Sequence, residues 1–93
     1  MKTIKFEPSE YLTNEARIAE FINAFIEEAP ELLPEALGIV AKAKGMTEIA
    51  KKTGISRQAL YAVLKENENP TFNTINKVLN AFNVELQAVT KAA

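Results

Sequence analysis

Apolar residues recur every three or four positions along most of the chain, which is the spacing of amphipathic α-helices. In the N-terminal third this spacing predicts a long helix over residues 14–29, with Thr13 as its N-cap and Pro30 as its end. The apolar face of this helix consists of Ile18, Phe21, Ile22, Phe25 and Ile26. Residues 1–12 have no such spacing and predict an extended arm, held to the body by Phe6, Tyr11 and Leu12.

Two further helices are predicted from the same spacing. One covers residues 33–44 and ends at Gly45, and Pro34 is tolerated in its first turn because the missing N–H is not needed there. The other covers residues 72–82 and is capped by Thr71. The apolar face of this last helix consists of Ile75, Val78, Leu79 and Phe82.

After the last helix, the period of the pattern shortens to two residues. Asn83 suits the left-handed conformation that ends a helix, and VELQAV then alternates apolar and polar side chains. This alternation favours a short strand over residues 84–89, with a helix and an extended segment folded back on the domain as alternatives. No other strand is predicted, so its edge would pair with a second copy of the chain. The side chains predicted at this dimer contact are Val84, Leu86 and Ala88.

The segment TEIAKKTGISRQALYAVLK, residues 47–65, has the punctuation of a helix-turn-helix. Ala50 is small where two helices must cross, and Gly54 can adopt the positive φ that ends the first helix. Ser56 is suited to cap the second helix, and Ile55 would fill the core beneath the turn. The alternative is a plain helical hairpin with the same glycine and serine. The two helices are predicted at 47–53 and 56–65, with Leu60, Val63 and Leu64 facing inward.

The outward face of the second helix is predicted to carry Arg57, Gln58, Tyr61, Ala62 and Lys65. Arginine and glutamine are the side chains that reach guanine and adenine edges in the major groove. Tyr61 would stack on the sugar–phosphate backbone, hydrogen-bond to it or contact a thymine methyl group. Phosphate contacts are expected where helices begin and where lysines are exposed. They are assigned to Thr47, Lys51, Lys52, Ser56, Lys65, Thr71 and Asn73.

Charge is divided unevenly along the chain, although the net charge is only −1. Residues 1–41 hold three basic and eight acidic residues, a net charge of −5. Residues 42–65 hold six basic residues and one acidic residue, +5, and residues 66–93 hold two and three, −1. The positive charge is thus concentrated on residues 42–65, which include the predicted helix-turn-helix, called the reading unit here. Such a concentration is expected when one face of a protein binds phosphates.

Composition narrows the remaining possibilities. A chain of 93 residues is expected to form one domain, with an arm at 1–12, a helical pair at 13–45 and the reading unit, last helix and terminal strand at 46–93. Cysteine, histidine and aspartate are absent, so we expect no disulfide, metal site or cofactor and no enzymatic activity. No apolar run approaches the roughly 20 residues of a membrane span, and no signal peptide is recognisable, so a cytoplasmic location is expected.

The chain resembles the addiction-module antidote proteins, which are antitoxins of type II toxin–antitoxin pairs with a Cro-like helix-turn-helix. The resemblance is carried by AKAKGMTEIAKKTGISRQALYAVLKENENPTFNTINKVLNAFNVEL. It extends toward the N-terminus into FEPSEYLTNEARIAEFINAFIEEA and so covers nearly the whole chain. The sequence departs from the family pattern at Pro34, where alanines are usual, and at Asn83, where glycine is common. The most specific matching segments are Ala43-Lys44-Gly45-Met46, Arg57-Gln58-Ala59-Leu60-Tyr61 and Asn69-Pro70-Thr71-Phe72.

The resemblance implies a compact all-α protein that represses its own operon and neutralises a small toxin encoded beside it. Such toxins are commonly RelE-like mRNA-cleaving proteins, which are basic because they handle RNA. The partner surface is therefore expected on the helix over residues 14–29 and around four acidic residues, Glu27, Glu28, Glu31 and Glu35. The alternative is that the N-terminal helices only complete the core. Binding of an operator in double-stranded DNA is expected to involve a homodimer.

Three functions other than that of an antitoxin are open to such a chain. A Cro-like repressor without a toxin partner would lack a neighbouring gene for a basic protein of roughly 100 residues, a typical single-domain size. A protein scaffold without DNA binding is disfavoured by Arg57, Gln58, Lys51 and Lys52. An enzyme is disfavoured because the available Glu, Lys, Ser, Thr and Tyr residues form no recognisable catalytic motif.

Overall fold

The computed structural model of the chain describes residue 12 and residues 14–92. In this part of the chain it contains five α-helices, one short 3₁₀ helix and no β-strand, which confirms the predicted all-α fold. No helix in the described residues has the length and apolar character that crossing a lipid bilayer would require. The helices are α1 (Glu15–Glu28), α2 (Leu33–Lys44), α3 (Met46–Thr53), α4 (Arg57–Val63) and α5 (Phe72–Ala81), with the 3₁₀ helix at Pro30–Leu32.

The first helix begins after Asn14, which has an extended backbone and is the N-cap. Its side-chain oxygen accepts a hydrogen bond from the backbone N–H of Arg17 at 2.9 Å, so it satisfies one of the free donors of the first turn. The predicted cap, Thr13, lies outside the described residues. Of the predicted anchors of the arm, Leu12 is buried, and the other two lie outside the described residues.

The second helix begins at Leu33 and ends at Lys44, as the sequence predicts. Pro30 ends α1 and also opens a 3₁₀ turn that leads directly into α2, a turn that the sequence did not predict. Pro34 lies in the first turn of α2, where it breaks no hydrogen bond. Gly45 ends the helix with φ of 104°, in the region that glycine adopts at low cost.

All five helices contribute to one hydrophobic core. Its largest fully buried side chains are Leu12, Ile18, Leu37, Val40, Ile49, Leu60, Val78, Leu79 and Phe82. No polar or charged side chain is buried among the described residues. Helices α2 and α4 approach closely at Gly38, because a Cβ built there would overlap the carbonyl oxygen of Leu64 at the end of α4. Glycine at this position therefore allows α4 to lie this near to α2.

The helix-turn-helix is formed by α3 and α4. Gly54 has the left-handed φ of 76° that ends α3, and the Ser56 hydroxyl accepts a hydrogen bond from the N–H of Ala59 at 3.1 Å. Thr53 adds a contact that the sequence did not predict: its hydroxyl donates to the carbonyl of Ile49 at 2.8 Å and accepts from the N–H of Ile55 at 3.1 Å. These bonds fix the turn between the two helices.

Helix α4 is shorter than predicted. It ends at Val63, and Leu64, which is buried, is its C-cap. Lys65 therefore lies in the loop after the helix, where Asn67 has a positive φ of 67°, and does not belong to the outward face of α4. The chain turns early because Leu64 packs into the core instead of continuing the helix.

After α5 the chain reverses at Asn83, whose φ of 65° confirms the predicted left-handed position. The N–H of Val84 donates to the carbonyl of Leu79 at 3.0 Å, which closes the helix end. Residues 84–92 are neither helix nor strand, so the helical alternative for this segment is wrong. In the single chain Val84 is half-buried, whereas Leu86 and Ala88 are exposed.

Candidate nucleic-acid interface and partner surface

Helix α4 has one buried face and one exposed face, as the sequence predicts. Leu60 is completely buried, whereas Arg57, Gln58 and Tyr61 are exposed. The helix is fixed at its start by the Ser56 cap. Its polar face is therefore held by a packed apolar face, which is the arrangement that a groove-reading helix requires.

Two cations approach the exposed ring of Tyr61. The guanidinium carbon of Arg57 lies 6.0 Å from the ring centre, one turn earlier in the same helix. The ammonium nitrogen of Lys42, from α2, lies 5.9 Å from the same centre. Both distances are within cation–π range. Lys42 was not among the predicted contact residues, because spacing within the reading unit cannot show which side chains of α2 lie beside it.

The two lysines of α3 lie on different flanks of that helix. Residues four positions apart share a face of a helix, so Lys51 shares its flank with Thr47. Lys52 instead lines a groove of about 480 Å³ between the C-terminal ends of α2, α3 and α5 and the start of α1. The charged and amide side chains around this groove are Glu15, Lys44, Lys52, Lys77, Asn80 and Asn83. The structure therefore separates two lysines that the sequence assigned to one phosphate-binding face.

The start of α5 is exposed and capped. The Thr71 hydroxyl accepts a hydrogen bond from the N–H of Thr74 at 3.2 Å, and Asn73 is exposed. Between them the ring of Phe72 is 66% exposed. This exposure could not be predicted from the sequence, because Phe72 has the same helical spacing from Ile75 and Leu79 as a core residue.

Acidic side chains cluster at the end of α1 and in the following turn. Glu27 and Glu28 occupy the last turn of α1, and Glu31 lies in the 3₁₀ helix. All three side chains are exposed. The last turn of α1 contains no basic residue, although the negative end of the helix dipole favours one there.

The acidic end of α1 and the C-terminal segment line a common groove of about 440 Å³. Glu27 and Ile26 belong to one wall, and Glu85, Leu86 and Val89 to the other. Glu27, which was predicted to bind a protein partner, and Leu86, which was predicted at the dimer contact, are thus neighbours. Distance along the sequence concealed this relationship.

Comparison with known proteins assigns the chain to a family. The sequence profile of a family described as "probable addiction module antidote protein" matches residues 2–90. A Haemophilus influenzae protein described as uncharacterized is 42% identical over 83 residues, which cover 88% of this chain and 86% of that protein. No solved structure matches significantly. The match over almost the full length confirms the resemblance found in the sequence, and the chain belongs to the family of probable addiction module antidote proteins.

Proposed function

We propose that this protein is a DNA-binding antitoxin that represses its own operon and neutralises a small RelE-like toxin encoded beside it. Membership of the antidote family supports the antitoxin role. One observation carries the DNA-binding part: Arg57 and Gln58 are exposed at the start of a capped helix whose opposite side is anchored by the buried Leu60. This arrangement presents the side chains that pair with guanine and adenine on a fixed support.

In this proposal the surrounding residues bind the DNA backbone. Thr47, Lys51 and Lys65 supply side-chain contacts, and Lys42 adds a charge beside Tyr61. The start of α5, at Thr71 and Asn73, offers free backbone N–H groups to a phosphate. Because one reading helix covers only a few base pairs, two copies bind a palindromic operator with half-sites about 34–36 Å apart.

The toxin is proposed to bind away from the reading helix. Glu27, Glu28 and Glu31 offer negative charge to a basic partner, and all three are exposed. Charge complementarity of this kind accelerates association and selects the partner. This protein would encounter both the operator and the newly synthesised toxin in the cytoplasm, which is the proposed location.

Fluorescence anisotropy with two duplexes tests the DNA-binding proposal. One duplex carries the DNA upstream of the gene, and the other is a random sequence of equal length. Arg57→Ala should weaken binding to the upstream DNA by about 1–3 kcal/mol and affect random DNA little. Equal loss on both duplexes would assign Arg57 to phosphate contact, and a wild type without preference would overturn operator recognition.

Co-expression with the neighbouring gene tests the toxin proposal. The gene product alone should arrest growth, and the wild-type chain should restore growth and co-purify with the product. If the neighbouring gene does not encode a basic protein, or if its product does not bind, the toxin part fails and a Cro-like repressor remains.

A further inference from the structure

The groove between α1 and the C-terminal segment is lined by apolar side chains that the single chain leaves open to solvent. Leu86 is 38% exposed and Val89 is 84% exposed. Ile26 of α1 lines the same groove and is half-buried. Isolated exposed apolar residues are ordinary, but three that line one concave surface are typical of an interaction site.

Both walls of the groove carry negative charge. Glu27 lies on α1, and Glu85 lies on the C-terminal segment, where its carboxylate accepts a hydrogen bond from the Gln87 amide at 3.3 Å. Glu27 is unfavourable for α1 itself, because it lies at the negative end of the helix dipole. Helix stability therefore does not explain a glutamate at this position, whereas a basic partner does.

We propose that this groove docks a basic, amphipathic segment of the toxin. An apolar side chain of that segment would lie between Ile26, Leu86 and Val89, and lysine or arginine side chains would pair with Glu27 and Glu85. The proposal rests on the proposed antitoxin function, and it adds the C-terminal segment to a partner surface that the sequence assigned to acidic residues alone.

A second copy of this chain fits the groove less well. In a symmetric dimer the same patch faces itself, so the glutamates of both copies would be brought together. Like charges at an interface are unfavourable. Main-chain pairing of two C-terminal segments remains compatible with docking, because it uses backbone N–H and carbonyl groups rather than the side chains that line the groove.

Titration of purified variants with the product of the neighbouring gene tests the docking site. Leu86→Lys places a positive charge among the apolar side chains that line the groove. Thr90→Lys adds the same charge at an exposed residue outside the groove lining. Leu86→Lys should weaken the complex at least roughly tenfold, and Thr90→Lys should leave it unchanged. Glu27→Lys should also weaken it, with Glu68→Lys, in the exposed loop before α5, as the matched charge reversal.

The outcomes separate the groove from the wider proposal. Circular dichroism spectra and the midpoint of urea unfolding should be unaltered in Leu86→Lys, which excludes misfolding as the cause of a loss. If the wild type binds the product and Leu86→Lys and Glu27→Lys bind it equally well, the groove assignment is overturned and the antitoxin function stands. If Leu86→Lys dissociates a dimer without changing toxin affinity, the groove is an interface between copies and docking fails. A wild type that does not bind overturns both proposals.

Discussion

The ammonium nitrogen of Lys42 in α2 lies 5.9 Å from the centre of the Tyr61 ring in α4. A positive charge from outside the helix-turn-helix therefore lies beside the predicted recognition helix. Arg57 approaches the same ring at 6.0 Å. An aromatic face attracts a cation through its quadrupole, and it can restrict where that cation points. The ring therefore couples the predicted base contact at Arg57 to a second charge that is available to the phosphate backbone.

Lys42→Ala should weaken binding to operator and random DNA by the same factor, because a phosphate contact carries no sequence information. The slope of log K against log salt concentration should become less negative by about 0.9, the value for one lost phosphate contact. Lys91→Ala, near the exposed C-terminal end, is the control and should leave the slope unchanged. An unchanged slope in Lys42→Ala would exclude Lys42 from the interface.

The separation of the two α3 lysines leads to a second prediction. Lys51→Ala should reduce affinity for random DNA, because Lys51 shares a flank with Thr47. The slope of log K against log salt concentration should become less negative by about 0.9, the value for one lost phosphate contact. Lys52→Ala should change both quantities less, since Lys52 lies on the other flank of α3 and lines the groove with Lys44 and Lys77. The two variants are matched in charge and differ only in flank. Equal losses would restore the prediction that both lysines contact phosphate.

Most of the fold follows from local sequence signals. Gly45, Gly54, Ser56 and Asn83 each have a conformation or hydrogen bond that only a few residue types supply cheaply, and all four were predicted. The end of α4 could not be predicted, because Leu64 fits the helical spacing equally well as a further helix residue and as a buried cap. The choice depends on tertiary packing against α2.

The candidate site was less predictable than the fold. Exposure of Arg57, Gln58 and Tyr61 follows from the helical period once Leu60 is known to be buried. The nearness of Lys42 to Tyr61, and of Glu27 to Leu86, depends on how separate segments pack. Such neighbours leave no periodic signal in one sequence.

Gly38→Ala should destabilise the protein. Alanine normally favours a helix over glycine, by roughly 1 kcal/mol. Here the added methyl group would overlap the carbonyl oxygen of Leu64, and overpacking of this kind costs about 1–3 kcal/mol. Urea unfolding followed by circular dichroism measures the difference. Ala24→Gly, at an exposed position of α1, gives the ordinary propensity effect for comparison. A Gly38→Ala variant that is more stable than the wild type by roughly 1 kcal/mol, the full propensity gain, would contradict the overlap.

Removal of charge at the two ends of helices should have opposite effects on stability. Glu27→Gln removes an unfavourable charge from the last turn of α1 and should stabilise the fold by about 0.3–1 kcal/mol at low salt. Glu48→Gln removes a favourable charge from the first turn of α3 and should destabilise it by a similar amount. Both differences should shrink at high salt. Stabilisation by Glu27→Gln together with weaker toxin binding would identify a residue retained for its partner; a loss of stability would contradict the dipole argument.

The C-terminal segment is expected to form the contact between two copies of the chain. We expect the wild type to sediment as a dimer at micromolar concentration, with residues 84–89 of two copies paired as strands. Val84, Leu86 and Ala88 alternate with polar residues in this segment, and the segment is neither helix nor strand in the single chain. Consecutive N–H groups of a strand point to opposite edges, so only one of two neighbouring residues donates to a partner on a given edge.

Gln87→Pro and Ala88→Pro each remove one of these donors at an exposed position. One of the two variants should sediment as a monomer and bind the operator more weakly, because its two half-sites are no longer occupied by a linked pair. The other proline variant is then its matched control. Dimers in both variants would move the interface away from this segment, and a wild type that is monomeric at micromolar concentration would remove the dimer altogether.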